Sequence, residues 1–190
     1  MNPRGLLLVS MIVLAAATRL IPPLVSPWMN LWNFTAIGAM CLFGGSHFQR
    51  KSIAFAVPMA ALFLSDVALT AILYGFGGIN VISMSYVLFA LTTLLGMTLR
   101  GRVTFFNVTA AAIIASAGFF LLSNFHVWLT GHGAPRTAAT LGATYLAAIP
   151  FAKNMLLGNL FYSGVLFGGY ALLTRKLPVL QQSALQPVRV

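Results

Sequence analysis

The stretch Ser52–Tyr74, SIAFAVPMAALFLSDVALTAILY, decides how the rest of the chain is read. It is almost wholly apolar, and at about 1.5 Å per residue a helix of this length crosses a hydrocarbon core of about 30 Å. It also holds Asp66, the only acidic residue in a chain of 190. A carboxylate at bilayer depth is costly unless it meets a cation or a water-filled hollow. What Asp66 faces is therefore the central question.

Working outward, the composition agrees with a membrane protein: 59% of residues are hydrophobic and 6% charged, where a soluble domain carries about 25% charged residues. The spacing of apolar runs predicts an all-α, polytopic bundle of six transmembrane helices in a single domain. Their expected bounds are about 5–24, 33–48, 52–74, 80–99, 103–122 and 153–173, with a short helix about 137–149 on or partly inside the membrane. Pro22, Pro23 and Pro27 end the first helix because proline lacks the donor that continues it. Pro58 predicts a kink in the third. The long connection 123–151 holds His126, Trp128, His132, Pro135, Arg136 and Pro150. Gly164 and Gly168, at GxxxG spacing, read as ordinary packing inside the bundle. A cleaved signal peptide is the other reading of the start, with Arg4 ahead of an apolar core and Ala15–Ala17 as the cleavage site.

Net charge is +10. The basic residues lie between apolar spans, so they read as topology signals rather than a nucleic-acid surface. With six spans, Arg4, Arg50, Lys51, Arg100, Arg102, Arg175, Lys176 and Arg189 fall on one face, which is eight of the 11 Lys and Arg. The positive-inside rule makes that face cytoplasmic, with both termini there, in a bacterial inner membrane. Arg19, Arg136 and Lys153 fall on the other side.

Those misplaced charges mark where a site could lie. Asp66 stands about 22 Å up its helix from Lys51, at the outer level reached by Arg19 and Lys153. Trp28, Trp32 and Trp128 share that level, with Asn33, Asn124, Asn154 and Asn159. One reading is an outward-facing pocket with polar and aromatic walls, in which Asp66, Arg19, Asn33, Trp32, Asn124, Trp128, Lys153 and Asn154 contact a small organic solute. The other is a structural ion pair between Asp66 and Arg19 or Lys153, with the tryptophans as an interfacial belt.

Catalytic and metal constellations are not visible. A single carboxylate supplies no acid–base pair, and neither a Walker loop nor GxSxG occurs. His126 and His132 read as solvated loop residues, His47 as a cap, and Cys41 as a buried thiol. No enzyme activity, cofactor or metal is expected. The lipid bilayer and a small-molecule solute are the expected partners.

Several strings are familiar in their order: Asn33-Phe34 leading to Leu42-Phe43-Gly44-Gly45, Pro58 before Ser65-Asp66, Ser123-Asn124-Phe125 with Val127-Trp128, and Ala148-Ile149-Pro150-Phe151 with Asn154. Together, from about Arg19 to Gly168, the chain resembles a family of small bacterial membrane proteins described only as transport proteins, which is similar to the substrate-binding (S) components of energy-coupling-factor (ECF) vitamin transporters. The resemblance implies a six-helix S-component-like bundle that takes a vitamin or related micronutrient from outside. It also implies a separate coupling membrane subunit and ATPases as partners. Helix 1 departs from many S components in lacking small residues four apart; such pairs occur instead as Ala56/Ala60 and Ala111/Ala115. A stand-alone proton-coupled transporter using Asp66, or a membrane scaffold, are the alternatives.

Overall fold

The computed structural model describes residues 3–21, 33–74, 83–131, 135–177 and 180. The described residues form an all-α bundle. The helices are α1 (Pro3–Ala17, extended by the 3-10 turn Thr18–Leu20), α2 (Ile37–His47), α3 (Lys51–Tyr74), α4 (Met84–Thr98), α5 (Phe105–Thr130) and α6 (Ala138–Lys176). Within α6 an α-helical part, Ala138–Ser163, passes through a π-helical stretch, Gly164–Gly168, into Gly169–Lys176.

Four of these, α1 with its 3-10 turn, α3, α5 and α6, are long and apolar enough to cross a membrane. Their exterior carries large apolar side chains: Leu14, Leu64, Phe105 and Leu146 are all exposed. So many large apolar side chains exposed on long apolar helices belong against lipid. The chain is a helical membrane protein.

The short α2 is the centre of the bundle. Every residue from Ile37 to Gly45 is buried, as expected of a helix that is apolar all round. Its glycines admit neighbouring backbones. A Cβ on Gly45 would stand 2.3 Å from the Thr93 carbonyl oxygen, and one on Gly96 would stand 2.5 Å from that of Leu42, so α2 and α4 meet backbone to backbone. Pro58 of α3 is seated the same way, 2.6 Å from where a Gly44 Cβ would lie. Leu8, Ile12, Ala15 and Ala16 present the buried face of α1, spaced as one side of a helix requires.

The basic ends are tied together. Arg100 Nε donates to Gly45 O at 2.9 Å and its Nη2 to Phe48 O at 2.7 Å. The guanidinium thereby satisfies carbonyls at the C-terminal end of α2, where the helix dipole favours a cation. Arg4 Nε donates to Tyr170 Oη at 2.9 Å, joining α1 to the end of α6.

Several expected bounds change. The fourth helix, expected to begin near 80, begins at Met84; the expected end of helix 1 at residue 24 lies outside the described residues, as do all of 22–32 and 75–82. The second helix is shorter than 33–48. The fifth does not stop at 122 but continues to Thr130.

The expected short helix 137–149 and the helix 153–173 are one rod of 39 residues with Pro150 inside it. Proline removes one helical donor, but a backbone withdrawn from water has no better place for its remaining groups than the helix itself. Thr137 starts the rod with a capping box, its Oγ1 accepting from Thr140 N while Thr140 Oγ1 accepts from Thr137 N. Gly164 and Gly168 do not pack inside the bundle. Both are exposed, and a Cβ at either would meet nothing within 4 Å.

Candidate functional site

Because α2 is only 11 residues long, about 16 Å, it fills half the depth of the bundle and leaves a hollow beyond its first residue. All six helices line that hollow, whose volume is 190 Å³: Arg19 follows α1, Thr35, Ile37 and Gly38 lie at the start of α2, Leu62 and Asp66 on α3, Ser83, Ser85 and Phe89 at α4, Phe119 on α5, and Met155 and Asn159 on α6, with Asn33 between them.

The polar groups in and beside the hollow come from separate helices. At about 1.5 Å per residue, Asp66 lies about 22 Å from Lys51, Arg19 about 22 Å from Arg4, Tyr86 about 21 Å from Arg100 and Ser116 about 21 Å from Arg102. Arg19, Asp66 and Tyr86 meet in hydrogen bonds, so they share one depth.

Arg19 Nη1 donates to Asp66 Oδ1 at 2.8 Å and also to Ser65 Oγ. Ser65 Oγ donates to Leu62 O one turn back, at 2.8 Å. Tyr86 Oη donates to Asp66 Oδ2 at 2.8 Å. Both carboxylate oxygens are thus engaged, one by a cation and one by a phenol, which is how an acid is held at this depth.

Asp66 is paired with Arg19, and it still lines an open hollow, its side chain 34% exposed against 11% for Arg19. Arg19 Nε is buried without a hydrogen-bond partner, a donor in want of an acceptor.

The floor and far wall are set by α6. Asn159 is buried, and its Nδ2 donates to Ser116 Oγ at 2.8 Å, while Ser116 Oγ donates to Ala112 O at 2.8 Å. The Asn159 amide rests on Gly38, where a Cβ would come within 2.3 Å of its Oδ1. Gly158 admits the Thr35 backbone nitrogen at 2.9 Å from its would-be Cβ. These two glycines let α6 close over the first turn of α2. Ala36, before that turn, gives no side-chain cap, so the leading amides of α2 have no such acceptor.

A second hollow of 130 Å³ adjoins the first, lined by Phe119, Phe120, Ser123 and Asn124 of α5, Ala148, Phe151, Ala152 and Met155 of α6, and Asn33. Asn33, Phe119 and Met155 line both hollows. Asn33 has φ of 67°, a left-handed conformation that asparagine tolerates better than most residues. Asn124 Nδ2 donates to Phe120 O at 2.8 Å, one turn back on its own helix.

Of the expected site residues, Arg19, Asp66 and Asn33 line the first hollow, and Asn33 and Asn124 the second. Three others stand apart from both. Lys153 is exposed on the outside of α6. Asn154 is half-buried beside it. Trp128 lies near the α5–α6 turn, where its Nε1 donates to Thr140 Oγ1 at 3.1 Å. Trp32 lies outside the described residues. Tyr86, Ser65 and Ser116 are outside that set and line neither hollow, but they bond to Asp66, Arg19 and Asn159, and Asn159 itself lines the first hollow.

No solved structure matches the chain. A family of unknown function, DUF6580, matches over residues 1–180, and the chain belongs to that family.

Proposed function

We propose that this protein is the solute-capturing component of a membrane transport system. It takes a small organic solute, of the vitamin or micronutrient class, from the outer side of a bacterial inner membrane. Separate subunits, a coupling membrane protein and ATPases, supply the energy where transport is driven by ATP. The basic ends of the helices face the cytoplasm by the positive-inside rule, which turns the hollow outward.

The observation that carries this reading is the meeting of Arg19 and Asp66, from two helices, on the wall of an open 190 Å³ hollow, with Tyr86 of a third helix bonded to Asp66. A pair serving only to fix helix packing gains nothing from a cavity at its side, because unfilled volume costs stability. Concave sites with a few converging polar groups are the usual form of a small-molecule site.

Native mass spectrometry of protein released gently from its own membrane tests the proposal. A small molecule leaving the wild type, and absent from folded Arg19→Gln protein, is the expected result. Wild type released free of any small molecule, or the same small molecule leaving both proteins, would count against it. Proteoliposomes holding this chain alone should show no uptake driven by a pH gradient.

A further inference from the structure

The adjoining hollows differ in chemistry. The first holds Arg19, with its buried and unpartnered Nε, beside the uncapped first turn of α2. Arg19 and Asp66 offset each other in formal charge, and both Asp66 oxygens already accept hydrogen bonds. Beside Asp66 this wall offers the accessible edge of the Arg19 guanidinium and the leading amides at Ile37 and Gly38 as donors, where the helix dipole adds a partial positive charge, while Asn33, Thr35, Ser83, Ser85 and Asn159 carry groups that can donate or accept. The second hollow is walled by Phe119, Phe120 and Phe151, with Ser123 and Asn124 as its polar groups.

Resting on the transport reading, we propose that the two hollows hold one ligand of two parts: an anionic, acceptor-rich head such as a carboxylate beside Arg19, and a compact aromatic or apolar part against Phe119, Phe120 and Phe151. Asn33, Phe119 and Met155, which line both hollows, border the junction. The head meets donors without displacing the Asp66 bonds. The 130 Å³ of the second hollow sets the size of the other part, about that of a single ring rather than a long chain.

The full chain in lipid nanodiscs, titrated calorimetrically with 3-phenylpropanoate, 3-phenylpropanamide, phenethylammonium, acetate and laurate, tests this. A charge-assisted hydrogen bond to the head predicts that 3-phenylpropanoate binds about tenfold more tightly than its amide and than phenethylammonium. Acetate, lacking the ring, should bind about tenfold more weakly than 3-phenylpropanoate. Arg19→Gln should erase the preference for acid over amide. Phe151→Ala, at a partly exposed position and so tolerated in folding, should keep that preference and lose the gain from the ring.

Phenethylammonium binding as well as the acid or better would overturn the anionic head and leave the transport reading standing. Laurate binding best would overturn the compact second part and point to a lipid acid. If no probe of any class binds and the purified wild type carries no small molecule, both the ligand class and the transport reading fall.

Discussion

Replacing Asp66 with asparagine removes the only negative side chain of the protein while keeping its shape. The asparagine oxygen still accepts from Arg19, and its amide can donate to a turned Tyr86 hydroxyl. What is lost is charge. Two unit charges about 4 Å apart attract by about 4 kcal/mol at an effective dielectric of about 20. Asp66 is 34% exposed, so solvent screening reduces this to about 1–2 kcal/mol. Arg19→Met should cost more, because it strands a carboxylate and also removes the bond to Ser65. The double variant should be less damaged than the two single losses together, with a coupling energy of about 1–2 kcal/mol. Equilibrium unfolding in mixed micelles with rising SDS fraction measures all four proteins. A coupling below about 0.3 kcal/mol, within the range of independent sites, would refute the ion pair as an energetic contact.

Gly45→Ala or Gly96→Ala should cost about 2–4 kcal/mol in the same unfolding measurement, since each new methyl meets backbone that cannot turn aside; Gly142→Ala, with open space around it, should be neutral or slightly stabilising. Arg100→Lys should lose about 1–2 kcal/mol, because an ammonium cannot reach Gly45 O and Phe48 O with the fork that a guanidinium offers. Lys153→Gln should leave calorimetric ligand binding unchanged, its side chain being exposed and outside both hollows.

The membrane class, the helical bundle and the pairing of Asp66 with a cation were legible because each rests on a one-dimensional signal. Apolar length marks a span, and a lone acid inside one must be answered by something. Arg19 was legible from depth alone. Depth does not fix direction around a helix, which is why Lys153 misled. At about 100° per residue it lies about 120° around α6 from Asn159, and the stripe Ala148, Ala152, Met155 and Asn159 is the one that meets the hollows. Tyr86 and Ser116 gave no sequence signal of their own, since single hydroxyls are common in apolar helices and only the packing of α4 against α3 and of α5 against α6 gives them partners. Pro150 lies in the expected gap between the helices 137–149 and 153–173, and proline breaks helices in water; in α6 the rod runs through it.

Whether the hollow opens to the outside can be measured in intact cells. Ser83, which lines it and is exposed, is replaced by cysteine in a Cys41→Ser background, leaving one thiol, and labelled with a membrane-impermeant reagent. Arg102→Cys at the basic end serves as the opposite-side control. Labelling of position 83 without permeabilisation, and of position 102 only after it, is the expected result. Labelling of position 83 only after permeabilisation, or not at all in folded protein, would contradict an outward-facing solute site.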